Sequence, residues 1–128
     1  MRRNCEQIAE QGNRYIYIDS ENAGKIYDIL NNDDKLKEKF RHRIEQLKFG
    51  IENRDAYDKL SGYDNLWEIR LFKQSKGRNH RIYCKQINTG DKIVHIIIVE
   101  FFLQKKSRQI PKEIRKRLKK IEAYEYKI

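Results

Sequence analysis

The hydrophobic period of this chain changes at Leu66, and that change fixes the class of fold open to it. Before it, Leu36, Phe40, Ile44, Leu47 and Ile51 recur at intervals of four, four, three and four, which lines one face of a helix. From Leu66 to Phe72 the residues alternate, with Trp67, Ile69 and Leu71 on one side and Glu68 and Arg70 on the other, as in a strand. Asn79 to Ile87 reads as the partner strand, with Arg81, Tyr83 and Lys85 sharing a face. Asn88-Thr89-Gly90-Asp91 is a hairpin signal. Ile93 to Leu103 is a long, almost continuously apolar strand, suited to a central place covered on both faces.

The remaining segments complete the order. Met1 to Asn13 is polar and unpatterned, and is read as an N-terminal extension, a frayed arm or a short docked helix. Residues 14–128 are expected to form a single domain. Tyr15 to Ile18 is a short strand ended by Asp19-Ser20, and Ile26, Ile29 and Leu30 mark a short helix. Asn31 to Asp34 breaks that helix and caps the next, which Gly50 ends. Pro111 suits the first turn of a last helix, whose apolar stripe is Ile114, Leu118 and Ile121. The expected fold is therefore α+β: an antiparallel sheet of about four strands, two N-terminal helices packed on one face, and a basic C-terminal helix. The opposite sheet face is expected to stay partly open, presenting Glu68, Arg70, Arg81 and Tyr83.

Composition matters here mainly through charge. The 128 residues carry a net charge of +10. Residues 1–64 hold 12 basic and 13 acidic side chains, and residues 65–128 hold 17 and 6. The densest stretch, Gln104 to Lys120, has nine basic residues and one acid, Glu113. A field so one-sided concentrates polyanions, which makes nucleic acid the leading partner class. No apolar run approaches the ~20 residues needed to span a bilayer, so no membrane role is expected. Cys5 and Cys84 are too few for a disulfide framework and lack zinc spacing. They fit free thiols in a reducing compartment. A cytoplasmic protein without structural metal or cofactor is expected.

Phosphate-loop, paired-histidine metal and hydrolase nucleophile motifs are missing. His42 reads as a surface residue; a His80–His95 acid–base pair is geometrically possible, but His95 in an apolar strand reads as a core residue. RNA cleavage needs none of these groups, because the 2′-hydroxyl attacks its own phosphate. Cations then stabilise the charge that builds on the phosphorane oxygens, and guanidinium forks fix the in-line geometry. Arg70 and Arg81, on neighbouring strands and one face, suit that role. Lys105 and Lys106, crowded by other cations, suit proton transfer. Trp67 reads as core. Tyr83 reads either as a base-stacking ring or as cover for the sheet.

The ordered set Leu66-Trp67-Glu68-Ile69-Arg70, Gly77-Arg78, Arg81-Ile82-Tyr83, Phe101 to Lys106 and Ile110 to Ile114 resembles the RelE/HigB superfamily of type II toxins. It is particularly similar to the phage-derived HigB-type branch, and the similarity covers about residues 15–122. The resemblance implies a metal-independent endoribonuclease that cuts mRNA in the ribosomal A site. It also implies a cognate antitoxin, a helix-turn-helix DNA-binding protein. On this likeness Arg70, Arg81, Lys105 and Lys106 carry catalysis. Glu68, Lys73, Lys76, Arg78, Tyr83, Arg108 and Lys112 contact mRNA or ribosomal RNA. The acid and base stay unassigned, with Tyr83, Tyr124 and Tyr126 as candidates. Two other readings stay open: a gyrase poison of the ParE type, and a non-enzymatic module that binds nucleic acid or a partner.

Overall fold

The computed structural model describes residues 2–50, 56–71, 80–90, 92–102 and 112–128. Its elements run β1 (Arg2–Gln11), β2 (Arg14–Asp19), α1 (Ala23–Asn31), α2 (Asp34–Lys48), β3 (Tyr57–Lys59), β4 (Leu66–Arg70), β5 (Arg81–Thr89), β6 (Ile93–Phe102), α3 (Lys112–Ala123) and β7 (Glu125–Lys127). The strands form one sheet in the order β3-β4-β5-β6-β2-β1-β7. β2 lies parallel to β6, and β7 parallel to β1. The other neighbours are antiparallel.

This corrects the expected fold. The sheet is mixed and has seven strands, not an antiparallel sheet of about four. The stretch read as an N-terminal extension is strand β1, inside the same sheet. Short strands β3 and β7 form its two edges. Helices occupy both faces rather than one. Alternation along the central strands explains the two layers. Ile16, Ile18, Ile69, Leu71, Ile82, Cys84, Ile96 and Ile98 point one way and pack with Ile26 and Leu30 of α1 and Leu36, Phe40 and Leu47 of α2. Tyr17, Leu66, Tyr83, Ile97, Val99 and Phe102 point the other way and meet Ile114, Leu118 and Ile121 of α3. β6, between β5 and β2, is apolar toward both layers, and Ile96 to Val99 have no exposed surface.

The helix ends follow local chemistry. Asp33 accepts from Leu36 N at 3.2 Å and caps α2. Gly50, with φ at 65°, takes the left-handed conformation that ends α2's run. The β5–β6 turn closes with Lys92 N donating to Thr89 O at 3.1 Å. Trp67 stacks on Tyr57 at 4.7 Å and packs against the α1/α2 layer.

Asp19 joins the two chain ends. It has no exposed surface, and its Oδ1 accepts from the backbone N–H groups of Glu21 and Asn22 at 2.8 and 3.0 Å. Arg3 of β1 donates to both carboxylate oxygens, and the Tyr126 hydroxyl of β7 donates to Oδ2. A buried carboxylate needs this many donors to offset its lost hydration. The polar β1 thus enters the sheet through an ion pair as well as through its ladder.

Burial also sets an alkaline limit. It raises the pKa of the Tyr57, Tyr126 and Cys84 side chains, and holds Tyr83 at about 12. Ordinary values are 9.0 for the thiol and 10.0 for the phenol. The unfolded chain therefore releases these protons first, and the native state is disfavoured as pH climbs. Stability is expected to be intact at pH 8 and to fall progressively from about pH 9 to 12. Denaturant melts at pH 8, 10 and 11 check this, and equal midpoints would contradict the burial of these groups.

Candidate functional site

The β4–β5–β6 register arranges the candidate residues in two rows on the α3 side of the sheet. Arg70 pairs with Arg81, and Arg81 with Phe102. One rung inward, Glu68 pairs with Tyr83, and Tyr83 with Glu100. A bulge follows, since Cys84 pairs with Ile98 and leaves Val99 as the extra residue. Asn22 Nδ2 donates to the Val99 carbonyl at 2.7 Å, which satisfies the interrupted ladder.

Glu68 organises the arginines. Its exposure is 2%. Arg70 Nε and Nη2 donate to Oε1 at 2.9 and 2.7 Å, and Arg81 Nη1 donates to Oε2 at 3.0 Å. One carboxylate therefore holds two guanidiniums side by side, leaving this trio with a net positive charge. Each guanidinium has five N–H donors, of which these contacts use two from Arg70 and one from Arg81. The Arg70 side chain is 32% exposed and that of Arg81 11%. Arg70's backbone is also anchored: its N–H donates to Ala56 O at 2.8 Å, and its carbonyl accepts from Arg43 Nε at 2.8 Å.

The structure corrects two role assignments on this row. Glu68 is a buried clamp whose oxygens are taken by arginines, not a group facing RNA. Tyr83 has no exposed surface and meets Phe102 edge-on at 5.0 Å, so its ring has no free face on which a base could stack. Its hydroxyl is buried without a hydrogen-bond partner among the described residues. Burial and then the Glu68 charge raise the phenol to about 12, against the pull of Arg81, so it stays protonated at neutral pH. The sheet face predicted to be open is covered here by α3.

A second pair, not singled out from the sequence as part of a site, borders the first. Glu100 is paired with Arg117 of α3, whose guanidinium also lies 5.0 Å over the Phe102 ring. Burial raises the Glu100 pKa, with Arg117 opposing it. A cavity of about 140 Å³ lies alongside, lined by Asn22, Lys25, Ile26, Ile29, Glu100, Phe101 and Arg117. The signal for this pair was present in the sequence, since Glu100 is an acid within an apolar run. Next along β5, Lys85 is buried and its amine caps the carbonyls of Glu122 and Tyr124 at the C-terminal end of α3.

Lys112, the first residue of α3, is exposed. Lys73, Lys76, Arg78, Lys105, Lys106 and Arg108 lie outside the described residues. His80 and His95 are not brought together: Arg81 pairs with Phe102 while His95 pairs with Ile87, which separates the two histidines by about 20 Å along the ladder. His42 is exposed on α2. Among the described residues no group of three or more His, Cys, Asp or Glu could hold a metal ion, and no helix is long and apolar enough to cross a membrane. No protein-family model, curated protein or solved structure matches this chain.

Proposed function

We propose that the chain is the toxin of a type II toxin–antitoxin pair, a metal-independent endoribonuclease that cuts mRNA in the ribosomal A site in the cytoplasm. One observation carries this reading: Arg70 and Arg81, from neighbouring strands, converge on a single buried carboxylate, and their contacts among the described residues use only some of their donors. Two guanidiniums so held can bridge the non-bridging oxygens of one phosphodiester. The 2′-oxygen forms a new bond to phosphorus and gives up its proton, while the 5′-oxygen leaves and takes one. A 2′,3′-cyclic phosphate and a 5′-hydroxyl end result. The arginines stabilise the extra negative charge of the phosphorane between those two states. Lys105 and Lys106 are the proposed proton carriers. The sequence motifs and the strongly basic second half of the chain also support this reading.

Glu68 acts here as a positioning residue. Glu68→Gln keeps the shape but weakens the hold on both guanidiniums, and small misplacement costs up to about 10²-fold in rate. The variant is expected to lose at least tenfold in kcat with little change in KM, while Arg70→Lys, which keeps the charge and loses the fork, falls comparably. Single-turnover cleavage of mRNA on ribosomes measures both. The wider reading is tested by induced expression followed by mapping of mRNA ends. New 5′-hydroxyl ends within codons, and growth arrest relieved by the antitoxin, are expected. Growth arrest with DNA damage and intact mRNA would contradict it.

A further inference from the structure

The α3 side of the sheet carries a second surface, beyond the end of α3. Coverage by the helix stops at Lys85, whose amine holds the helix's last carbonyls. The next rung is Ile87, His95 and Tyr15, cross-strand partners on β5, β6 and β2. All three remain half-buried. The Tyr15 and His95 rings stack with centroids 5.7 Å apart and planes 23° from parallel. The Tyr17 hydroxyl lies 3.0 Å from His95 Nδ1 and fixes that ring's orientation. Burial lowers the His95 pKa, so the ring is neutral at physiological pH. Lys116, Lys119 and Lys120 are exposed and make the outer side of α3 cationic, whereas Arg117 turns in to Glu100, and Glu122 and Glu125 lie by Lys85 at the helix's end. Glu10, opposite Tyr15 on β1, is an acid on the same face.

We infer that this aromatic rung is a stacking platform for the bases of single-stranded RNA, whose phosphates run along the basic side of α3. A fixed, partly exposed aromatic surface beside a cationic ridge is what sequence-tolerant single-strand binding requires. Every base has a π-face, whereas a duplex hides its bases and offers only phosphates. The choice of RNA as ligand rests on the function proposed above. The platform itself goes beyond that reading, because it lies about 20 Å along β5 from Arg81 and would position the strand without touching the reacting phosphate.

The test uses the full chain and a fluorescein-labelled 2′-O-methyl RNA 12-mer, which binds but cannot be cut because its 2′-oxygen carries no proton. Fluorescence anisotropy is expected to give at least tenfold tighter binding to the single strand than to the matching duplex. Tyr15→Leu, which keeps an apolar side chain on the rung, is expected to lose at least tenfold in single-strand affinity with an unchanged melting temperature. Anisotropy reads the platform and cleavage on programmed ribosomes reads Arg70 and Arg81, so an unaltered protein that binds the 12-mer in a Tyr15-dependent way and cuts nothing keeps the platform while the cleavage reading falls. A strand carrying 4-thiouridine, irradiated on the unaltered protein, is expected to crosslink at Tyr15 or His95, which tests the surface even if Tyr15→Leu misfolds. Equal binding of duplex and single strand, unchanged affinity in a folded Tyr15→Leu, crosslinks confined to other residues, or no binding by the unaltered protein would each overturn the inference. So would a dimer that Tyr15→Leu dissolves, which would assign the face to a second copy of the chain.

Discussion

Arg81→Ala is expected to slow RNA cleavage by about 10²–10³-fold, the usual cost of removing one preorganised donor from a developing oxyanion. Arg81 is the more enclosed guanidinium, at 11% exposure against 32% for Arg70, and charge interactions strengthen where water is excluded. Arg70→Ala should cost less, because water can reach the position it vacates. The two losses should not add, since both side chains share Glu68 and removing either one loosens the other. Each single variant leaves Glu68 one arginine partner, so a folded protein is expected, and the cleavage rate on programmed ribosomes reads the chemistry. A folded double variant that cuts at the original rate would rule out the arginine pair as the catalytic centre.

Asp19→Ala is expected to destabilise the fold by about 3–5 kcal/mol, the cost of leaving a buried ion pair half empty. The change strips acceptors from Arg3, Tyr126 and two backbone N–H groups at once. Globular domains have only about 5–15 kcal/mol in hand, so a large share of the stability is at stake. Asp19→Asn, which keeps an acceptor oxygen and loses the charge, should cost less. Tyr126→Phe should cost about 1 kcal/mol, as one hydrogen bond does. Urea melts of the three variants would establish the order. Asp19→Ala melting like the unaltered protein would show that β1 and β7 are held by something else.

The central hairpin was legible because its alternation is strict from Leu66 to Arg70 and from Arg81 to Lys85. That period placed Glu68, Arg70, Arg81 and Tyr83 on one face, and the register agrees. Whether that face was open could not be read in the same way, since it depends on where α3 docks. The apolar stripe Ile114, Leu118, Ile121 announces that α3 buries one side, yet not against which surface. Alternation therefore leaves Tyr83 between stacking and cover, and its burial against Phe102 beneath α3 makes it cover.

β1 escaped notice for a different reason. Arg2–Gln11 is mostly polar and exposed, and its place in the sheet comes from ladders to β2 and β7 and from the Arg3–Asp19 pair, none of which leaves a local pattern. β7 and β3 have three residues each, too short for any period. Glu100 stands out as an acid within an apolar run, but its partner Arg117 could not be named, because the pair joins a strand to a helix of distant sequence.

A single substitution in the substrate tests the chemistry most directly. If the arginine pair only steadies RNA while it attacks itself, an mRNA on the ribosome should be cut to a 2′,3′-cyclic phosphate, and a 2′-deoxynucleotide at the scissile position should abolish the cut. Cleavage of the deoxy substrate at a comparable rate, or an all-ribose mRNA left whole by the folded protein, would contradict the account.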